Sequence, residues 1–394
     1  MKTLTLSLLL ISTLISTLEL NGQGQPATLT GYVFIDKNNN GVRDSNEIGV
    51  KGARVSNQSE IVTTDANGSY SIASSGSLGN LFVIQPEGYV VRGLFWRPID
   101  QTSTYDFPLI ASPKASTFTF IHASDTHLGD QSLPRFKKLK AIVDSLKPAF
   151  IIVTGDLVKD ALRVPEKEAS RLYELYKDQS SKFSVPVWNV PGNHEIFGIE
   201  RHKSLVSESN PLYGKKMFRH YLGPDYYAFS YGGIQFIGLN SVDYDDLWYY
   251  GHIDSLQLTW LKKLIAATSI ETPNITFNHI PFYSAGMSMG PYTDEEPGSS
   301  LISINGKKQW RHVVANAEDV IHAFNGYNFP IALGGHFHFE QKFTFETTSN
   351  KTEFHQTGAV VAPTSEGGFE MPSGIVLYTV ANGKIIGRKF IAIR

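Results

Sequence analysis

Residues 118–127 read Phe-Thr-Phe-Ile-His-Ala-Ser-Asp-Thr-His: apolar side chains alternate as in a β-strand, then give way at once to a carboxylate and an imidazole two residues apart. The alternation predicts a strand over 118–123 with a polar block at its C-terminal end. Further strands end the same way. Residues 150–154 run into Gly155-Asp156, 187–190 into Gly192-Asn193-His194-Glu195, 275–278 into His279-Ile280-Pro281, and 331–333 into Gly334-Gly335-His336-Phe337-His338. Another strand is expected over 234–239. Between strands lie helical patterns: Phe136, Leu139, Val143 and Leu146 form one stripe, and Asp254 with Gln257 makes a capping pair for a helix carrying Leu258, Leu261 and Ile265. Strands alternating with helices predict an α/β (α+β) domain over 116–394 that returns to β pattern across 345–394. In such sheets the residues beyond the carboxyl ends of the strands line the ligand site.

Outward from that domain, the chain of 394 residues has room for two domains at about 150 residues each. Its 41% apolar and 12% aromatic content supports a sizeable core, and 18% charged residues is too few for a disordered polyelectrolyte. Residues 27–112 alternate in short segments, such as 28–35, 60–64 and 69–72, separated by Gly, Asn, Asp and Ser; this predicts a small all-β sandwich, with the boundary around Pro113. Residues 1–24 read as a signal peptide: Lys2, an apolar run from Leu4 to Leu18, then small and polar residues, with cleavage expected near Gly22 or Gly24. The run is short of a bilayer span and diluted by Ser and Thr, so a secreted or periplasmic protein with no membrane span in the mature chain is expected.

With 35 basic against 37 acidic residues and no Lys/Arg stripe, the chain lacks the basic face of a nonspecific nucleic-acid binder. The absence of cysteine removes disulfides, thiolate metal sites and Cys nucleophiles together. Any metal must bind through His, carboxylate, amide or carbonyl groups. Two Asp, one Asn and four or five His gathered at one rim supply enough ligands for two divalent ions sharing a carboxylate, an arrangement that clamps both oxygens of a phosphoryl transfer.

The blocks D-x-H, G-D, G-N-H-E, H and G-H-x-H, in this order, resemble the calcineurin-like metallophosphoesterase superfamily over roughly residues 116–345. The resemblance implies a four-layer αββα sandwich of two mixed sheets with helices outside. It implies that Asp125, His127 and His338 bind one metal and Asn193, His279 and His336 the other, with Asp156 bridging. It implies that His194 binds no metal but protonates the leaving oxygen or steadies the phosphoryl charge, and that Glu195 orients the site. The expected cofactors are two transition ions, Mn, Fe or Zn, and the expected reaction is attack by a metal-bound hydroxide on a small phosphate mono- or diester. Purple acid phosphatases carry a metal-binding Tyr three residues after the bridging Asp; here that position is Lys159, so an Fe³⁺ tyrosinate is not expected. The alternative function is a catalytically inactive surface or binding protein on the same fold. Ligand completeness separates the two, and all seven expected metal ligands and His194 are present.

The other histidines, His122, His202, His220, His252, His312, His322 and His355, read as core or surface residues. Of these, His202 and His220 are the ones worth testing, because they lie in the long connection 199–225 which, with 283–300, could shape a substrate pocket. In the small domain, residues 36–47 fit the twelve-residue calcium-loop pattern, with Asp36, Asn38, Asn40, the Val42 carbonyl, Asp44 and Glu47 as ligands and Gly41 at the turn. A strand precedes this loop, so it resembles the calcium loops of bacterial surface β-sandwich domains and not a helix-loop-helix sensor.

Overall fold

The computed structural model describes residues 27–100, 104–288, 300–346, 351–366 and 369–394; the expected signal peptide lies outside these residues. Between Thr28 and Ala111 eight strands form two four-stranded sheets. One has the order Ser69–Ala73, Thr28–Ile35, Phe107–Ala111, Tyr89–Val91; the other has the order Ile61–Thr63, Arg54–Ser56, Asn80–Ile84, Trp96–Pro98. Val33, Val55, Tyr70, Ile72, Leu81, Val83, Phe107 and Leu109 fill the space between them.

From Thr117 onward the two larger sheets are both mixed. The first runs Val187–Val190, Phe150–Thr154, Thr117–Ala123, Gly374–Ala381, Lys384–Ala392, with its first three strands parallel. The second runs Tyr227–Tyr231, Ile234–Gly238, Asn274–Phe277, Ile331–Gly334, Lys351–Gln356, Gln341–Glu346, with four parallel strands in the middle. Aromatic rings join the sheets: Trp188 stacks on Phe229 at 4.0 Å, and Phe120 and Phe150 meet Phe236 edge-on at 5.4 and 5.1 Å. The helix Leu133–Leu146 turns Phe136, Leu139 and Val143 inward, while Leu146, at its end, is 37% exposed. Asp254 caps the helix Ser255–Ala266 as expected, its carboxylate accepting from the Gln257 amide at 2.9 Å.

The strand Asn80–Ile84 explains how the two parts of the chain hold together. All five of its residues are buried, although side chains on a strand alternate between faces. Leu81 and Val83 enter the sandwich core, whereas Phe82 and Ile84 enter the large core, where the Phe82 ring lies 6.5 Å from that of Trp260. Polar contacts ring this seam. Trp260 Nε1 donates to Ser56 Oγ at 3.0 Å, Arg54 donates to Gln235 Oε1 at 2.8 Å, and Gln58 Nε2 donates at 2.8 Å to Asp225, itself paired with Arg219. Phe82→Ala is expected to cost about 3–5 kcal/mol, as large-to-small changes at fully buried aromatics do. Denaturant unfolding checks this, and a loss below about 1 kcal/mol would show that the seam carries little of the stability.

Candidate functional site

The parallel strands of both sheets deliver their polar ends to one rim, and backbone bonds zip the resulting loops together. Asp125 N donates to Gly155 O at 3.1 Å, His127 N to Asp156 O at 2.8 Å, and Gly335 N to His279 O at 2.9 Å. Close approach requires glycine at two of these turns. A Cβ on Gly192 would lie 2.2 Å from Asp156 Oδ1, and one on Gly155, at φ +76°, would lie 2.6 Å from His279 Cβ. Asp125, His127, Asp156, His336 and His338 all have positive φ, from 38° to 75°, a conformation that costs side-chain-bearing residues about 1–3 kcal/mol each and gathers at functional sites.

The structure brings all seven proposed ligands together in two groups that share Asp156. Donor atoms of Asp125, His127, Asp156 and His338 lie within 4.8 Å of one another, as do those of Asp156, His279 and His336. Asn193 Oδ1 joins the second group, 3.1 Å from His279 Nε2. The chemistry of these atoms calls for cations. His279 gives its Nδ1 proton to Thr154 O at 2.8 Å, so in the neutral ring Nε2 presents a lone pair to Asn193 Oδ1, to Asp156 Oδ1 at 3.3 Å and to His336 Nδ1 at 3.1 Å. In the other group His127 Nε2 faces His338 Nε2 at 3.3 Å. Asp125 Oδ1 is buried and faces His338 Nε2 at 3.1 Å. Imidazole nitrogens and carboxylate and amide oxygens gathered this closely in a buried cluster fit a pair of metal ions.

Electrostatics show how strongly the carboxylates attract positive charge. Burial depresses the His279 imidazolium, but the Asp156 and Asp125 carboxylates outweigh it and lift its pKa to about 9. Burial, with His194 nearby, lowers His127 to about 4. Burial opposes charge on Asp156, yet His279, His194 and His127 hold its carboxyl well below the usual range. The two carboxylates thus draw positive charge into the cluster, as a proton on His279 when nothing else supplies it.

His194 stands at the edge of this cluster. Its Nδ1 donates to Lys159 O at 2.7 Å, and its Nε2 is 3.9 Å from Asp156 Oδ2 with the side chain partly exposed. Glu195 is fully buried and works through the backbone: it accepts from Leu157 N and Val158 N at 2.8 and 2.9 Å and from Gly192 N at 2.7 Å, so it ties the Asp156 loop to the Asn193 loop. Burial, with Asp156 close by, pushes the Glu195 carboxyl up to about 8, while the Val158 and Gly192 amides pull it back.

Two neighbours were not singled out by the sequence. His312, expected to be a core or surface residue, lies with Nδ1 2.7 Å from His336 Nε2, and the rings stack at 4.9 Å. Arg311 is 4% exposed, sits 4.5 Å over the Tyr249 ring, and has buried Nε and NH1 atoms without an acceptor. Tyr249 in turn meets His336 edge-on. Both residues follow the short strand Lys307–Trp310, whose sequence, Lys-Lys-Gln-Trp, carries no apolar run to mark it. By contrast His220 is placed away from the ligand cluster, beside Tyr221 in a cavity of about 590 Å³ also lined by Phe95, Trp96 and Trp188, and His202 is exposed on the short helix Arg201–Ser204. Of the connection 283–300, residues 289–299 lie outside those described.

In the loop 36–47 Asp36 is buried and accepts from Asn40 N and Gly41 N at 3.2 and 2.9 Å, with Arg92 Nε 3.3 Å away. Asn38 and Asn40 amides both donate to Asp44 Oδ2, and Glu47 accepts from Lys37 N and Asp44 N at 2.8 and 3.0 Å. Among the described residues, the groups of three or more Asp, Glu or His donors within 4.8 Å are the two around Asp156, and this loop forms none.

Among the described residues no helix is long and apolar enough to cross a membrane. The model of the calcineurin-like phosphoesterase family matches residues 118–340, and that of the N terminal of calcineurin-like phosphoesterase matches residues 37–112. The serine/threonine-protein phosphatase CPPED1 of Danio rerio is 25% identical over 190 residues, covering 42% of this chain and 57% of its own length, so the chain spans little more than half of that relative. Among solved structures, a dimetal phosphatase from Danio rerio aligns with 14% identity and a TM-score of 0.46 over 70% of this chain and 96% of its own. GAP50, the anchor in the inner membrane complex of Plasmodium, aligns with 14% identity and a TM-score of 0.42 over 71% and 86%. With its family model matched over more than half of its length, the chain belongs to the calcineurin-like phosphoesterases.

Proposed function

We propose that the protein is an exported two-metal phosphoesterase acting on a small phosphoester, and that phosphate monoesters are its better substrates. The observation that carries the reading is the convergence of seven N and O ligand atoms at one rim. Asp125, His127 and His338 would hold one ion, Asn193, His279 and His336 the other, and Asp156 both. When bound, the pair supplies Lewis acidity to the phosphoryl oxygens and lowers the pKa of the attacking water. His194, oriented by its bond to Lys159 O, keeps Nε2 turned to the site and gives a proton to the leaving oxygen. Glu195 holds the two loops in register. Export is supported by the sequence of residues 1–24.

The preference for monoesters rests on Arg311. Two nitrogens of the buried Arg311 guanidinium, Nε and NH1, have no acceptor, which suits an incoming dianion better than a monoanion. Arg311→Met is expected to lower kcat/KM for p-nitrophenyl phosphate about 10²-fold, the scale of losing one charged donor to the transition state, and to change bis-p-nitrophenyl phosphate hydrolysis far less. Equal losses on both esters would remove the preference.

Metal analysis of protein purified without chelator, paired with hydrolysis of the same two esters in added Mn²⁺ or Zn²⁺, tests the whole reading. About two ions per chain with turnover supports it. No metal and no turnover after reconstitution would favour the binding protein.

The loop 36–47 is further proposed to take calcium, on the support of its twelve-residue pattern and the inward-held carboxylates of Asp36 and Glu47. Calcium is expected to raise the melting temperature of the parent but not of the double variant Asp36→Ala, Glu47→Ala. A parent indifferent to calcium would end that assignment.

A further inference from the structure

The loop that follows the strand Lys307–Trp310 is fastened at both sides of the site. Val314 N donates to Pro281 O at 3.0 Å, two residues beyond His279, and Ala315 N donates to Gly251 O at 2.8 Å. Arg311 N donates to Ser300 O at 2.9 Å. His312 is therefore delivered to its place by anchored backbone. It meets His336, whose two ring nitrogens have different surroundings. Nδ1 faces His279 Nε2 at 3.1 Å, inside the donor cluster, and Nε2 faces outward to His312 Nδ1 at 2.7 Å.

The proton can be assigned from those surroundings. An imidazole that offers Nδ1 to a metal carries its hydrogen on Nε2, and that hydrogen needs an acceptor. His312 Nδ1 lies within reach of it, at a distance short for a nitrogen pair. We infer that His312 is a positioning residue: it accepts the Nε2 proton of His336, fixes that ring in the tautomer and orientation that present Nδ1 inward, and so sets the affinity of the second metal position, that of Asn193, His279 and His336. The inference rests on the two-metal reading above. It makes His312 neither a ligand nor a participant in the chemical step. Partners that hold a ligating histidine in this way are worth about 10–100-fold in metal affinity.

Two roles for His312 must be told apart, because its ring also stacks on His336 at 4.9 Å and 29°. His312→Asn removes the ring but keeps an acceptor where Nδ1 stood, since Asn Oδ1 and His Nδ1 are both carried on the γ-carbon. His312→Phe keeps the ring and removes the acceptor. The full chain, the parent and both variants, is stripped with chelator, checked for an unchanged far-UV circular dichroism spectrum, and titrated with Mn²⁺ or Zn²⁺ by calorimetry, with elemental analysis of the dialysed product.

The parent is expected to bind two ions. His312→Phe should keep the first and bind the second about 10–100-fold more weakly, while His312→Asn stays close to the parent. Phe binding both ions as the parent does, or Asn weakened more than Phe, would overturn the acceptor role. Should Phe not fold, an Asn variant that loses the second ion overturns the role and one that keeps it, beside a His312→Leu variant that does not, supports it. A parent that binds fewer than two ions would instead overturn the two-metal reading, and this inference with it.

Discussion

Asp156→Ala is expected to empty both metal positions and to lower phosphoester hydrolysis by at least about 10³-fold, because in the proposed site one carboxylate would serve both ions and both would act on the transferred group. Asp156 is 2% exposed; its Oδ1 lies 3.3 Å from His279 and its Oδ2 3.6 Å from His127, so it faces each half of the cluster with a different oxygen. Oδ1 also accepts the His194 amide at 3.0 Å, which places the backbone of the proposed proton donor. The loss is therefore compound. Elemental analysis reads the metals, and steady-state turnover reads the chemistry. Asp156→Asn, similar in shape and without the charge, should fail nearly as badly, which separates charge from packing. An alanine variant that keeps both ions would show that Asp156 bridges nothing.

His194→Ala is expected to do the opposite to the two readouts. Both ions should remain, since no proposed ligand atom belongs to His194, while turnover falls about 10²–10⁴-fold, the range of a lost general acid. The deficit should depend on the leaving group. An aryl ester such as p-nitrophenyl phosphate departs with little need for a proton and should lose least, whereas an alkyl phosphate should lose most. A deficit equal for both esters would assign His194 to phosphoryl charge and not to the leaving oxygen. Loss of metal would place it among the ligands.

How much of this was legible follows from how far each signal travels along the chain. Residues 150–154 were readable as a strand because a fully buried parallel strand is a near-continuous apolar run, whereas 187–190, Val-Trp-Asn-Val, is half-buried at alternate positions; the structure places strands at Phe150–Thr154 and Val187–Val190. The seven proposed ligands were readable because each follows one of these strands or its turn. His312 had no strand of that kind before it, and its role depends on backbone bonds to Pro281 and Gly251 that no local pattern encodes. Nor does local sequence say that Gly374–Ala381 lies beside Thr117–Ala123, a pairing across more than 250 residues. The run Asn-Leu-Phe-Val-Ile at 80–84 could equally serve a single core; its division between two appears once the large sheets are in place.

That divided strand also bears on how the chain is made. Synthesis proceeds from the N terminus, so the sandwich can close around Leu81 and Val83 while Phe82 and Ile84 still face water. Trp260, whose ring lies beside Phe82, is added 176 residues after Ile84 (260 less 84). At 5–20 residues per second the ribosome needs about 10–35 s to supply it. During that interval the nascent protein presents an apolar stripe that a chaperone or a neighbouring nascent chain can occupy.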